Sequence, residues 1–131
     1  MLGVDTNVLI RYLVRDDQPQ YEKARRLIDR EAAKGEPVLV SLVVLLETEW
    51  ALRSRYHLPK SDIVAAFSAL LDTADLAFED EYAIEQALYS WKDSTVEFAD
   101  CLIDARNRQL GCLATATFDG RALKLAGFVA A

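Results

Sequence analysis

Short apolar runs alternate along this chain with longer segments in which apolar residues recur at helical spacing. Leu2-Gly3-Val4 is a brief apolar run that ends in an acid, Asp5, and predicts a buried strand. Val8, Leu9, Tyr12 and Leu13 then form the stripe of a helix that Thr6 is placed to cap. Asp16-Asp17-Gln18-Pro19 breaks that helix, and 20–34 resumes the spacing through Tyr21, Ala24, Leu27, Ile28 and Ala32. Gly35 and Pro37 stop it. Val38-Leu39-Val40 predicts a second strand, and Ser41 caps a helix running from Leu42 to about Tyr56. After His57-Leu58-Pro59, a helix beginning at Lys60 or Ser61 carries Ile63, Val64, Phe67, Leu70 and Leu71. Leu76-Ala77-Phe78 reads as a third strand, 80–92 and 95–110 as two helices, and Gly111 as a stop. Cys112-Leu113-Ala114-Thr115 predicts a fourth strand, 119–125 a turn or short helix, and Gly127-Phe128-Val129 a fifth strand.

Strands that are apolar on both faces and alternate with helices predict an α/β protein with a parallel sheet covered on both sides. The 131 residues are one domain's worth, and no linker, repeat or low-complexity stretch divides 1–131. Composition changes the picture in one respect. Fifteen basic against twenty-one acidic residues give a net charge of −6, which argues against a protein that coats DNA by charge alone. It leaves a metal-dependent enzyme open, because metal ligands are themselves acidic. Cys101 and Cys112 are too few for a disulfide framework and read as small buried residues. Without a leader-like start or an apolar run of the ~20 residues a membrane span needs, a cytoplasmic protein is expected.

Ligands of parallel sheets gather beyond the carboxyl ends of the strands, so the acids there carry the interest. Asp5 follows the first strand, Glu47 lies early in the helix after the second, Asp100 lies early in the helix before the fourth, and Asp119 follows the fourth. A lone acid after a strand ordinarily caps a helix, and a lone Glu on a helix ordinarily faces water. Glu47 differs in having Val43, Val44, Trp50 and Ala51 as its neighbours one turn away, and Asp100 sits within Phe98-Ala99-Asp100-Cys101-Leu102-Ile103. A carboxylate among apolar residues needs a partner. Glu49 lies about 200° around the helix from Glu47 and is expected at the surface, and Trp50, on a face close to that of Glu47, is expected to pack in the core rather than to stack a base.

Taken in order, Val4-Asp5-Thr6-Asn7-Val8-Leu9-Ile10, Leu45-Leu46-Glu47-Thr48-Glu49-Trp50-Ala51-Leu52, Phe98-Ala99-Asp100-Cys101-Leu102-Ile103 and Thr117-Phe118-Asp119 resemble the acidic motifs of PIN-domain proteins. At this length the chain is most similar to the VapC-type toxins of bacterial toxin–antitoxin pairs. The resemblance implies a three-layer α/β/α fold with a short, mostly parallel, five-stranded sheet. It implies an endoribonuclease dependent on Mg²⁺, with Mn²⁺ as substitute, in which Asp5, Glu47, Asp100 and Asp119 surround the metal. Its implied partners are RNA, a small antitoxin and a second copy of the chain.

Residue chemistry agrees with that set. Carboxylates are hard oxygen ligands suited to Mg²⁺ or Mn²⁺, and the absence of His and Cys from the quartet speaks against zinc. Two carboxylates about 4 Å apart repel by ~4 kcal/mol at an effective dielectric near ~20, so a cation is welcome among them. Asn7, Ser41 and Thr117 are candidates for hydrogen bonds behind the ligands, and Asp104 is either a fifth acid or a partner of Arg108. Setting the four acids aside leaves a net charge of −2, and Arg11, Arg15, Arg53, Arg55, Arg106 and Arg108 are available for a basic rim. The apolar residues of the two early helices and of the helix from Leu42 could line a groove for a partner's amphipathic helix. A DNase of the same type, a catalytically silent binding module and a receiver-like signalling module are the rivals. The last lacks the acid pair after the first strand and the Lys after the fifth.

Overall fold

The computed structural model describes residues 1–131. It is an α/β structure of six α-helices and short parallel strands. The chain divides into two compact units, Met1–Glu79 and Asp80–Ala131.

The first unit contains α1 (Thr6–Leu13), α2 (Gln18–Ala33), β1 (Val38–Val40), α3 (Leu42–Ser54), α4 (Lys60–Asp72) and β2 (Leu76–Phe78). β1 and β2 pair in parallel, with Val38 opposite Leu76 and Val40 opposite Phe78. Val38 and Val40 are fully buried, and with Leu9, Ile28, Leu45, Leu52, Ile63 and Phe67 they form the core. Three of the unit's four helices begin at a capping side chain. Asp5 caps α1, Asp17 caps α2 ahead of Pro19, and Ser41 caps α3, each side chain accepting a backbone N–H from the first turn. Asp5, and not Thr6, is therefore the cap of α1. Gly35 after α2 has φ 76°, the left-handed conformation of a helix stop.

The second unit contains α5 (Glu81–Lys92), α6 (Phe98–Gln109), β3 (Thr115–Thr117), a 3₁₀ turn (Ala122–Lys124) and β4 (Phe128–Ala130). α5 and α6 pack as a hairpin, and next to its turn Trp91 lies against Phe98, ring centroids 5.1 Å apart. Asp80 caps α5 through Ala83 N–H and also accepts from Arg106 Nη1 at 2.8 Å, tying the start of α5 to α6. β3 pairs in parallel with β4, Thr115 opposite Phe128.

The strands differ from the expected single sheet of five. Two two-stranded sheets form, β1 with β2 and β3 with β4. Leu2-Gly3-Val4 contributes only one bridge, Gly3 to Leu39, flanked by Leu39 N–H to Leu2 O and Val4 N–H to Leu39 O. Asp5 already belongs to the helix cap, so no length remains for a strand. The fourth strand begins three residues later than its apolar run. Leu110, Gly111 and Cys112 all donate to carbonyls of α6, which keeps them in the helix end. β3 also lies near the surface rather than buried on both faces, and Cys112 is exposed. No helix is long and apolar enough to cross a membrane.

Candidate metal centre

Two of the four acids lie in each unit. In the first, Asp5 Oδ1 accepts Val8 N–H at 3.0 Å, which fixes the carboxylate at the start of α1. Glu47, on α3, accepts a hydrogen bond from the hydroxyl of Thr6. Thr6 is the first residue of α1, so this bond ties the start of α1 to α3 and holds Glu47 near Asp5. Both acids are exposed and line one pocket of about 340 Å³. Asn7, Val43, Trp50 and Arg55 share its wall.

In the second unit, Asp100 sits in the first turn of α6 and is half-buried. Burial, then the charges of Asp119 and Glu97, push its carboxyl above the usual carboxylate range. Asp119 is exposed two residues beyond β3. Its Oδ1 accepts Arg121 N–H at 2.9 Å, and Thr117 Oγ1 accepts Asp119 N–H at 2.9 Å. The Thr117 hydroxyl thus shapes the turn that presents Asp119. No group of three or more His, Cys, Asp or Glu side chains is assembled to hold a metal. The structure brings together Asp5 with Glu47, and Asp100 with Asp119.

The remaining candidates have local partners. Ser41 Oγ accepts Val44 N–H at 3.3 Å, while Glu79 takes Leu42 N–H at 3.1 Å, so the start of α3 is capped twice. Asp104 accepts from Arg108 Nε at 3.1 Å, and a Cβ at Gly127 would overlap both side chains. Of the six arginines expected to form a rim, Arg11, Arg53, Arg106 and Arg108 are held by Asp16, Glu49, Asp80 and Asp104. Arg15 lies over the ring of Tyr21 and Arg55 over that of Trp50.

Two residues of α3 depart from expectation together. Glu49 is 3% exposed and paired with Arg53 Nε at 2.9 Å, whereas Trp50 is 50% exposed in the acidic pocket. The angular separation of Glu47 and Glu49 holds, but α3 packs inward through Leu45, Thr48, Glu49 and Leu52. Of the apolar neighbours of Glu47, Val43 and Trp50 are thus on the open side, Val43 75% exposed, while Ala51 is buried. The sequence alone offers Thr6 as a helix cap. Its place beside Asp5 was the available sign of a second role.

The donors around both pairs are carboxylates, hydroxyls and an amide, an all-oxygen set that fits Mg²⁺ or Mn²⁺ and not a soft metal. Over 127 residues, 95% of this chain and 91% of the relative, the chain is 28% identical to a VapC ribonuclease of Aquifex aeolicus (strain VF5). The model of the PIN domain matches residues 3–128, nearly the whole chain, which therefore belongs to the PIN-domain family.

Proposed function

We propose that this protein is an endoribonuclease dependent on Mg²⁺ or Mn²⁺, acting as the toxin of a toxin–antitoxin pair. The observation that carries the proposal is the Asp5–Glu47 pair in its pocket, with the Thr6 hydroxyl holding Glu47. Membership of the PIN-domain family and likeness to a VapC ribonuclease support it. Asp5, Glu47, Asp100 and Asp119 would hold the ion, directly or through water. When bound, such an ion supplies Lewis acidity toward a phosphodiester and toward water. Thr6 orients Glu47, Thr117 shapes the Asp119 turn, and the α1 cap keeps the Asp5 carboxylate in one rotamer. Asp100 is the acid with most to gain from a cation, because burial and Asp119 disfavour its charge.

A protein that cuts RNA in its own cell needs restraint. A second pocket, of about 430 Å³, runs between α1 and α2 from Asp5 and Val8 to Lys23 and Leu27. It suits the apolar stripe of a small antitoxin's helix, with an Arg or Lys of that partner reaching Asp5. A homodimer is part of the same proposal.

The deciding experiment is cleavage of matched RNA and DNA oligonucleotides with Mg²⁺, Mn²⁺ or EDTA. Metal-dependent cutting of RNA is expected. Cutting of DNA alone makes the protein a DNase, and no cutting of either removes the nuclease reading. Toxic expression relieved by, and co-purifying with, the product of the adjacent small reading frame is the expected sign of the antitoxin.

A further inference from the structure

We infer that Trp50 and Arg55 form the nucleotide-holding wall of the acidic pocket, stacking an unpaired RNA base on the indole beside the Asp5–Glu47 pair; this rests on the nuclease reading above. The two tryptophans of the chain are treated oppositely. Trp91 is 4% exposed and packed on Phe98, whereas Trp50 is half in solvent, one helical turn from Glu47. Nothing in the packing of α3 requires a large aromatic there, since its inward face is supplied by Leu45, Leu52 and Ala51.

Charge points the same way. Two carboxylates repel the phosphodiester that must approach them, and a nearby cation offsets that repulsion. Of the six arginines near the motifs, Arg55 alone both lines this pocket and makes no salt bridge. Its guanidinium lies 5.7 Å from the centroid of the Trp50 ring. An aromatic face joined to an unpaired guanidinium is the usual equipment for single-stranded nucleic acid, the ring taking a base and the cation a phosphate. The pocket's 340 Å³ falls in the ~300–1,000 Å³ range of small-molecule sites, room for one nucleotide. In an A-form duplex the base faces are already stacked, so the wall selects unpaired RNA. Trp50 and Arg55 are positioning residues that touch the substrate outside the reacting bond.

The test measures binding of a fluorescent single-stranded RNA in EDTA, and cleavage with Mn²⁺, for the wild type, Trp50→Ala, Trp50→Phe and Arg55→Gln. Trp50→Ala should weaken binding by about tenfold or more, with Trp50→Phe recovering most of it. Arg55→Gln should weaken binding and lower the salt dependence by about one phosphate contact. The loss in cleavage should fall on KM and not on kcat, and RNA should quench Trp50 fluorescence while duplex RNA does not. Should Trp50→Ala fail to fold, Arg55→Gln and the quenching decide. Equal affinity and KM in wild type, Trp50→Ala and Arg55→Gln overturn the inference while leaving the nuclease intact. A changed oligomeric state with unchanged RNA affinity also overturns it, and makes this face a protein interface. A wild type that neither binds nor cuts RNA overturns both readings.

Discussion

The two pairs of acids are held by opposite means. In the first unit, Asp5 and Glu47 are each engaged by a donor, Val8 N–H and the Thr6 hydroxyl, and the second of these ties α1 to α3. In the second unit, Asp100 is half-buried with the charge of Asp119 acting against it, and Asp119 is satisfied only within its own turn. Both acids of the first pair are fixed by hydrogen bonds, whereas in the second pair Asp119 is so fixed and Asp100 is disfavoured as an anion by burial and by the neighbouring charge. Hydrogen bonds fix where a ligand atom sits, while uncompensated charge supplies the appetite for a cation. The difference teaches that pairs of candidate ligands need not share one kind of support, and it tells which substitution should do what.

The largest expected effect is on cleavage. Asp5→Asn, Glu47→Gln, Asp100→Asn and Asp119→Asn should each lower the rate by on the order of a hundredfold or more if all four serve one ion. Asn caps helices as well as Asp, and Gln still accepts from Thr6, so the first two changes test charge with the local geometry kept. Metal-free Asp100→Asn should melt no lower than the wild type, because an amide escapes the repulsion of Asp119. A near-normal rate in any one of the four would remove that acid from the set.

Next in size is stabilisation by the ion. At about a hundred times its dissociation constant, Mn²⁺ should add ~2.7 kcal/mol, a rise of several degrees in melting temperature. The rise should disappear in both Asp5→Asn and Asp100→Asn. Persistence in one variant and loss in the other would mean that the two pairs bind cations independently, which breaks the single-site view.

Glu49→Gln sharpens the contrast within α3. Loss of the buried carboxylate facing Arg53 should destabilise by ~1–2 kcal/mol, with cleavage per folded molecule and the response to Mn²⁺ both retained. Thermal melts and rates measured together check this, and a lost Mn²⁺ response would place Glu49 in the site.

The smallest effect concerns pH. Lys34, donating to Glu31 at 2.8 Å, holds the Glu31 carboxyl below its usual range. The stabilisation it contributes is present above the ordinary value near 4.5 and is lost as pH falls through the lower folded value. Glu31→Gln should therefore melt slightly below the wild type at neutral pH, and the two curves should converge in acid.

The helices were legible along the chain because their signals are local. The Asp16-Asp17-Gln18-Pro19 break after α1, Ser41 before Leu42 and Gly35 after α2 act within one turn of backbone, and each does so in the structure. The four acids were legible as motifs in order. Strand limits were less so, since an apolar run such as Cys112-Leu113-Ala114 looks like a strand until the end of α6 claims the N–H of Cys112. Which side of α3 faces water was not legible at all. Helical geometry separates Glu47 from Glu49 from the sequence alone, but burial depends on what packs against the helix. The inward packing of Leu45, Thr48 and Leu52 carries Glu49 into the core and leaves Trp50 at the open pocket. The hydrogen bond from Thr6 to Glu47 is of the same kind, because 41 residues separate the partners and only folding brings them together.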